Sequence, residues 1–143
     1  MGDLVKIQFY DPDIGYENLW ADPLRDGLYR VESIPFFVYG VSPGDIVSAR
    51  PDADGWLQFS KVETHSPNRT LRARSETFGG TNETATELLA VLDKLGCKTE
   101  MLRDRLAAIN IPVETNLQAV VNCLTSAGIQ WEYASPTYDA MTG

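Results

Sequence analysis

Residues 69–137 run through one uninterrupted β-α-β-β-α-β cycle, an order of elements that few folds accept. Residues 70–78 alternate apolar or small side chains with charged ones, the period of a half-buried strand, and Gly79-Gly80 ends the run. Thr81 or Asn82 then caps a helix whose Leu88, Leu89, Val91, Leu92 and Leu95 fall at helical spacing, with Gly96 where a left-handed cap belongs. Residues 97–103 and 106–111 are two short strands around Asp104-Arg105, and Pro112 closes the second. Thr115 or Asn116 starts a second helix with Leu117, Val120, Val121 and Leu124 facing inward, Gly128 ends it, and residues 129–133 alternate again as a last strand. The cycle predicts a ferredoxin-like plait.

Residues 1–66 have a different texture. Short strand signals at 5–9, 17–21, 27–31, 36–39, 45–49 and 56–62 are separated mostly by turn chemistry, including Asp26-Gly27, Pro43-Gly44-Asp45 and Asp52-Ala53-Asp54-Gly55. No helical period precedes residue 80, so this half is expected to be a strongly bent antiparallel sheet or small barrel, filled partly by Trp56 and Phe59. The chain is therefore α+β, with a β-rich half at 1–66 and a ferredoxin-like half at 67–143. About 65 residues make a marginal core alone, and the Ser66-Pro67-Asn68 connector is too short for a flexible linker, so the halves are expected to pack as one compact unit.

Twenty acidic side chains against 12 basic ones leave a net charge of −8, which argues against a nucleic-acid partner. With 43% apolar residues and no apolar run near the length of a span, the composition suits a globular protein that avoids the membrane. The first residues lack a secretory pattern, and Lys6 breaks a myristoylation motif, so a cytoplasmic location is expected. Cys97 and Cys123 are expected to be reduced, largely buried thiols.

Candidates for chemistry are sparse. His65, with Glu63 two positions earlier, could serve as a base, but no further partners can be named, and a histidine at a strand end is more often a surface residue. Asp11-x-Asp13 and Asp52-x-Asp54-Gly55 resemble fragments of calcium loops without the closing glutamate and are expected to be turns. Gly79-Gly80-Thr81 lacks the lysine of a phosphate loop and reads as helix capping. No cofactor or metal is expected, and no enzymatic activity. Arg69, Arg72, Arg74, Arg103 and Arg105 form the one basic concentration, and Arg72 and Arg74, on one strand face, are expected to pair with Glu76, Glu100 or Glu132. In the run 36–39 the rings cannot all share one side of a strand, so an aromatic must face outward or toward a second layer.

Glu17-x-Leu19-Trp20-Ala21, Gly27-x-Tyr29-Arg30-Val31, Ile34-Pro35-Phe36, Gly40-Val41-Ser42-x-Gly44-Asp45-x-Val47 and Gly55-x-Leu57-x-Phe59 together resemble a family of small bacterial proteins known as a domain of unknown function. The resemblance spans nearly the whole chain and implies an association with polymorphic-toxin neighbourhoods, hence an immunity-type binder. The charge fits such a role. Residues 1–66 carry 11 acidic and 5 basic side chains, net −6, and Asp11, Asp13, Glu17, Asp22, Asp26, Asp52 and Asp54 fall largely in expected loops, where carboxylates could face a basic toxin domain. The leading expectation is a binding protein that neutralises a toxin by stoichiometric occlusion. The alternative is a regulatory module that binds a small metabolite between helices and sheet, or forms a homodimer through the plait.

Overall fold

The computed structural model describes residues 3–74, 83–103 and 105–137. The end of the first plait strand (75–78), Glu76, the Gly79-Gly80-Thr81 run, the Thr81 or Asn82 cap, Asp104 and the tail from residue 138 lie outside the described residues.

Five strands close into a barrel: β1 (Val5–Asp11), β2 (Gly15–Arg25), β3 (Leu28–Val31), β4 (Ile46–Pro51) and β5 (Leu57–Thr64). Consecutive strands pair antiparallel, and β1 meets β5 in parallel through Ile7↔Leu57 and Gln8↔Gln58. Alternation decides what points inward. Ile7, Phe9, Leu19, Ala21, Val31, Val47 and Ala49 are buried in one cluster, while Tyr10, Tyr16 and Trp20 on the intervening positions are exposed. Phe59 joins the interior by stacking on Phe9 at 4.3 Å, but Trp56 is 52% exposed in the turn before β5 and does not fill the barrel as expected. Gly27 sits at φ +73 in the β2–β3 turn, a conformation that costs glycine little and other residues more.

One expected strand is absent. Residues 36–39 belong to a connecting segment instead, and the reason lies in their amides. The Glu17 carboxylate accepts from the backbone N–H groups of Phe36 (2.7 Å), Phe37 (3.1 Å) and Val38 (2.9 Å), and Pro35 has none to offer. Donors engaged by a side chain cannot join a ladder.

The second layer is a four-stranded sheet of order β7-β8-β6-β9, built from β6 (Arg69–Arg74), β7 (Lys98–Leu102), β8 (Leu106–Ile111) and β9 (Gln130–Ser135), with every neighbouring pair antiparallel. Helices α1 (Glu83–Lys94) and α2 (Leu117–Ser126) connect its strands. Of the two candidate caps for α2, Asn116 serves, its side chain accepting from Ala119 N at 3.0 Å. Leu88 and Leu92 of α1 and Val120, Val121 and Leu124 of α2 pack on Leu71, Ala73, Ala107, Ile109 and Ile111, so the space between helices and sheet is filled by core. Each large aliphatic group there contributes about 1.5–3 kcal/mol by leaving water.

Because β6 alternates, Leu71 and Ala73 meet the helices while Thr70 and Arg72 face the other way, toward the barrel half. There Ser42 Oγ and Thr70 Oγ1 share a buried hydrogen bond of 2.7 Å, and Gly40 N donates to Ala134 O at 2.7 Å. Buried Asp45 accepts from Ser42 N and Ser66 N, and Asn68 Nδ2 donates to Pro43 O. The connector between the halves is thus pinned to the barrel rather than free.

Candidate functional site

Arg72 is 3% exposed, in register with Glu132 on β9, and its Nε lies 3.4 Å from Glu132 Oε1. The expected sheet salt link therefore forms at this pair. The Tyr39 ring covers the guanidinium with its centroid 4.4 Å from Cζ, and the Tyr39 hydroxyl donates to the Glu132 carboxylate at 2.8 Å and 2.9 Å. Among the described residues, Nη1 and Nη2 of Arg72 make no hydrogen bond. Burial pulls the Arg72 pKa below its ordinary value while Glu132, Tyr39 and Glu17 push it back up, and a guanidinium keeps its charge at neutral pH under such a balance. Burial, then the hydrogen bond to Glu132, raises the Tyr39 pKa, so the phenol remains a donor.

This trio lies at the wall of a cleft of about 900 Å³ where the barrel end meets the sheet. Among the described residues, Arg72, Arg74, Arg103 and Arg105 line it against a single carboxylate, Glu132, and Ile14, Phe36, Phe37, Leu102, Leu106 and Trp131 supply apolar walls. Arg74, Arg103 and Arg105 are exposed. The β7–β8 hairpin delivers the last two, with Arg103 held at φ +52 in the turn. Arg69, the fifth member of the basic concentration, leaves the group: its Nη2 donates to Pro112 O and Thr115 O. Arg72 opposite Glu132 was legible as a cross-strand pair. Tyr39 was not, because it reaches Glu132 across 93 positions from a segment read as a strand.

The seven acidic candidates separate by strand direction. The β1–β2 hairpin holds Asp11, Asp13 and Glu17 at one barrel end, whereas Asp22, Asp26, Asp52 and Asp54 belong to the opposite end, where the β2–β3 and β4–β5 turns neighbour each other. Several are engaged locally. Asp11 Oδ1 accepts from Asp13 N and Ile14 N, and Asp52 Oδ1 accepts from Asp54 N and Trp56 N, so both aspartate runs are turns as expected. Slight burial works to raise the Asp52 pKa, but the donations from Trp56, Gln58, Asp54 and Gly55 outweigh it and hold the carboxyl below its usual range. Asp22 pairs with Arg30 at 2.8 Å, while Asp13, Asp26 and Asp54 are exposed.

His65 Nδ1 lies 3.4 Å from Asp45 Oδ2, but Asp45 is committed to two backbone amides and the imidazole is largely in solvent. Among the described residues no group of three or more His, Cys, Asp or Glu side chains is arranged to hold a metal ion, and no helix is long and apolar enough to cross a membrane. Cys97 and Cys123 are both free thiols.

In fold the chain is similar to a structure described as a novel crystal structure of a hypothetical protein from Neisseria gonorrhoeae, at 19% identity and a TM-score of 0.73, covering 96% of this chain and 97% of that one. No curated protein matches the sequence. A family profile described as a domain of unknown function, DUF4265, matches residues 17–133, most of the chain, and to that family this protein belongs.

Proposed function

We propose that this chain is a cytoplasmic binding protein of the immunity type, which neutralises a basic bacterial toxin domain by occlusion and without turnover. The observation that carries the reading is the gathering of Asp22, Asp26, Asp52 and Asp54 at one end of the barrel, where two adjacent turns present the exposed Asp26 and Asp54. A closed barrel is a stiff support for such a surface, and complementary charge speeds association and selects partners. In the second half, the order β7-β8-β6-β9 with helical crossovers suits a ferredoxin-like plait, a scaffold that hosts many functions and is compatible with a binding role. The toxin neighbourhood that the sequence resemblance implies points to the same role.

Charge reversal tests the reading, and the division of the carboxylates supplies its control. Affinity capture from host lysate is compared for the parent, Asp26→Lys/Asp54→Lys and Asp13→Lys. The expected result is a basic partner that salt weakens, that the double variant loses and that Asp13→Lys retains. Retention of that partner by the double variant, or absence of any basic partner, would refute the proposal.

A further inference from the structure

The cleft beside Tyr39 opposes the charge of the chain that contains it. Among the described residues four arginines meet one carboxylate at its walls, in a protein of net charge −8. We propose that this cleft is a binding site for a small phosphorylated ligand carrying a flat or apolar body, a nucleoside diphosphate being the simplest member of that class.

Arg72 is a buried cation on the cleft wall. A guanidinium withdrawn from water usually recovers its hydration as hydrogen bonds, and here Nη1 and Nη2 recover none among the described residues. Glu132 answers its charge through Nε, and Glu17 adds a longer-range attraction. A buried cation in this state is a standing positive potential at the cleft wall, fixed in place by the Tyr39 ring and by the β6–β9 register.

Charge counting selects the class of anion. Glu132 offsets Arg72, which leaves Arg74, Arg103 and Arg105 as surplus among the described residues of the lining. A monocarboxylate would neutralise one of the three, whereas a phosphate or diphosphate can answer two or three. Its tetrahedral oxygens also suit the paired N–H donors of a guanidinium. Its apolar walls, among them Phe36, Phe37, Leu102, Leu106 and Trp131, offer little to a bare ion but can hold a flat ring. The volume lies within the range of small-molecule sites. A nucleic-acid strand fits poorly, because beyond the cleft its phosphates would meet the acidic field of the rest of the chain.

Tyr39 covers Arg72, so an arriving phosphate contacts the exposed Arg74, Arg103 and Arg105 while Arg72 acts from beneath the ring. None of these groups belongs to the acidic barrel end, so the site does not depend on the toxin reading.

Calorimetric titration at low salt tests the proposal with adenosine diphosphate, inorganic pyrophosphate, adenosine and succinate. Adenosine diphosphate should bind most tightly, pyrophosphate next, succinate weakly and adenosine least. Arg74→Gln/Arg105→Gln alters only exposed side chains and should weaken adenosine diphosphate by about tenfold or more, the loss of at least one charge-assisted hydrogen bond, with an unchanged melting temperature. Arg72→Met, checked for folding by its melt, should weaken it as well. Absence of binding by both phosphates at millimolar concentration, or full affinity in the double variant, would overturn the site. Succinate binding above pyrophosphate, adenosine binding as well as its diphosphate, or an oligonucleotide binding more tightly than either phosphate would overturn the ligand class.

Discussion

Replacing Glu17 by alanine removes the acceptor that organises the segment between β3 and β4. In the parent, one carboxylate takes the N–H groups of Phe36, Phe37 and Val38 at 2.7–3.1 Å, and Phe36 and Val38 are partly buried at those bonds. A hydrogen bond to a charged group is worth about 1.5–3 kcal/mol, but the exposed Phe37 amide recovers water once freed, and the segment can relax. The loss should therefore total about 2–4 kcal/mol. For a domain of this size each kcal/mol moves the melting temperature by roughly 2–4 °C, so a thermal melt followed by circular dichroism should fall by roughly 5–15 °C. Glu17→Gln keeps one acceptor oxygen and should lose about half as much. Phe36, Phe37 and Tyr39 line the arginine cleft, so the same variant should also loosen that wall. A melting temperature for Glu17→Ala within about 2 °C of the parent would refute the claim that this carboxylate holds the segment.

Gly96 lies at φ +102, and a Cβ there would sit 2.8 Å from Thr115 Oγ1, whose hydroxyl donates to Leu95 O; Gly96→Ala should cost about 1–3 kcal/mol in a urea titration. Burial pushes the Cys97 thiol up to about 11, above its value in the unfolded chain, so the contribution of the protonated thiol is intact below about pH 8.5 and is lost as pH rises toward 11. Between those limits the parent should lose up to about 3 kcal/mol more than Cys97→Ala, measured as urea midpoints at both pH values; parallel losses would contradict the assignment. Leu124→Ala empties a fully buried position in the helix–sheet core and should cost about 2–5 kcal/mol. Because the barrel and sheet share the Ser42–Thr70 and Gly40–Ala134 bonds, that variant should lower a single transition seen by both far-ultraviolet signal and tryptophan fluorescence; two separated transitions would show that the halves unfold independently.

The strand and helix order of the C-terminal half was legible because each of its elements carries its own period and its own stop, down to Gly96 and Gly128 at positive φ. In the N-terminal half the individual strands were mostly legible, but the choice between a bent sheet and a closed barrel stayed open, since the β1–β5 contact that closes the ring joins residues fifty positions apart and leaves no local pattern. Residues 36–39 misled because aromatic and β-branched residues in a row look like a strand until the side chain that claims their amides is known. That same fact recasts Glu17, read as one of the carboxylates facing a partner and found holding three backbone groups. The basic concentration was visible as composition, and the Arg72–Glu132 pair as register, but the cleft was not. It takes shape only where the β1–β2 tip, the β3–β4 connection and two strand ends of the sheet converge, and chain topology alone brings those together.

The seam of the barrel sets a timetable for the growing chain. Val5–Asp11 can find β2 almost at once, but its other edge waits for Leu57 and Gln58. At roughly 5–20 residues per second, some 50 residues of synthesis take about 2.5–10 s, and passage through the ribosome lengthens the wait. For that interval the Ile7 and Phe9 strand has one unguarded border, the sort of border to which another strand can attach. Replacing Leu57 or Gln58 by proline would extend the interval indefinitely, and the consequence should appear as clumping during expression before it appears in any property of the finished molecule.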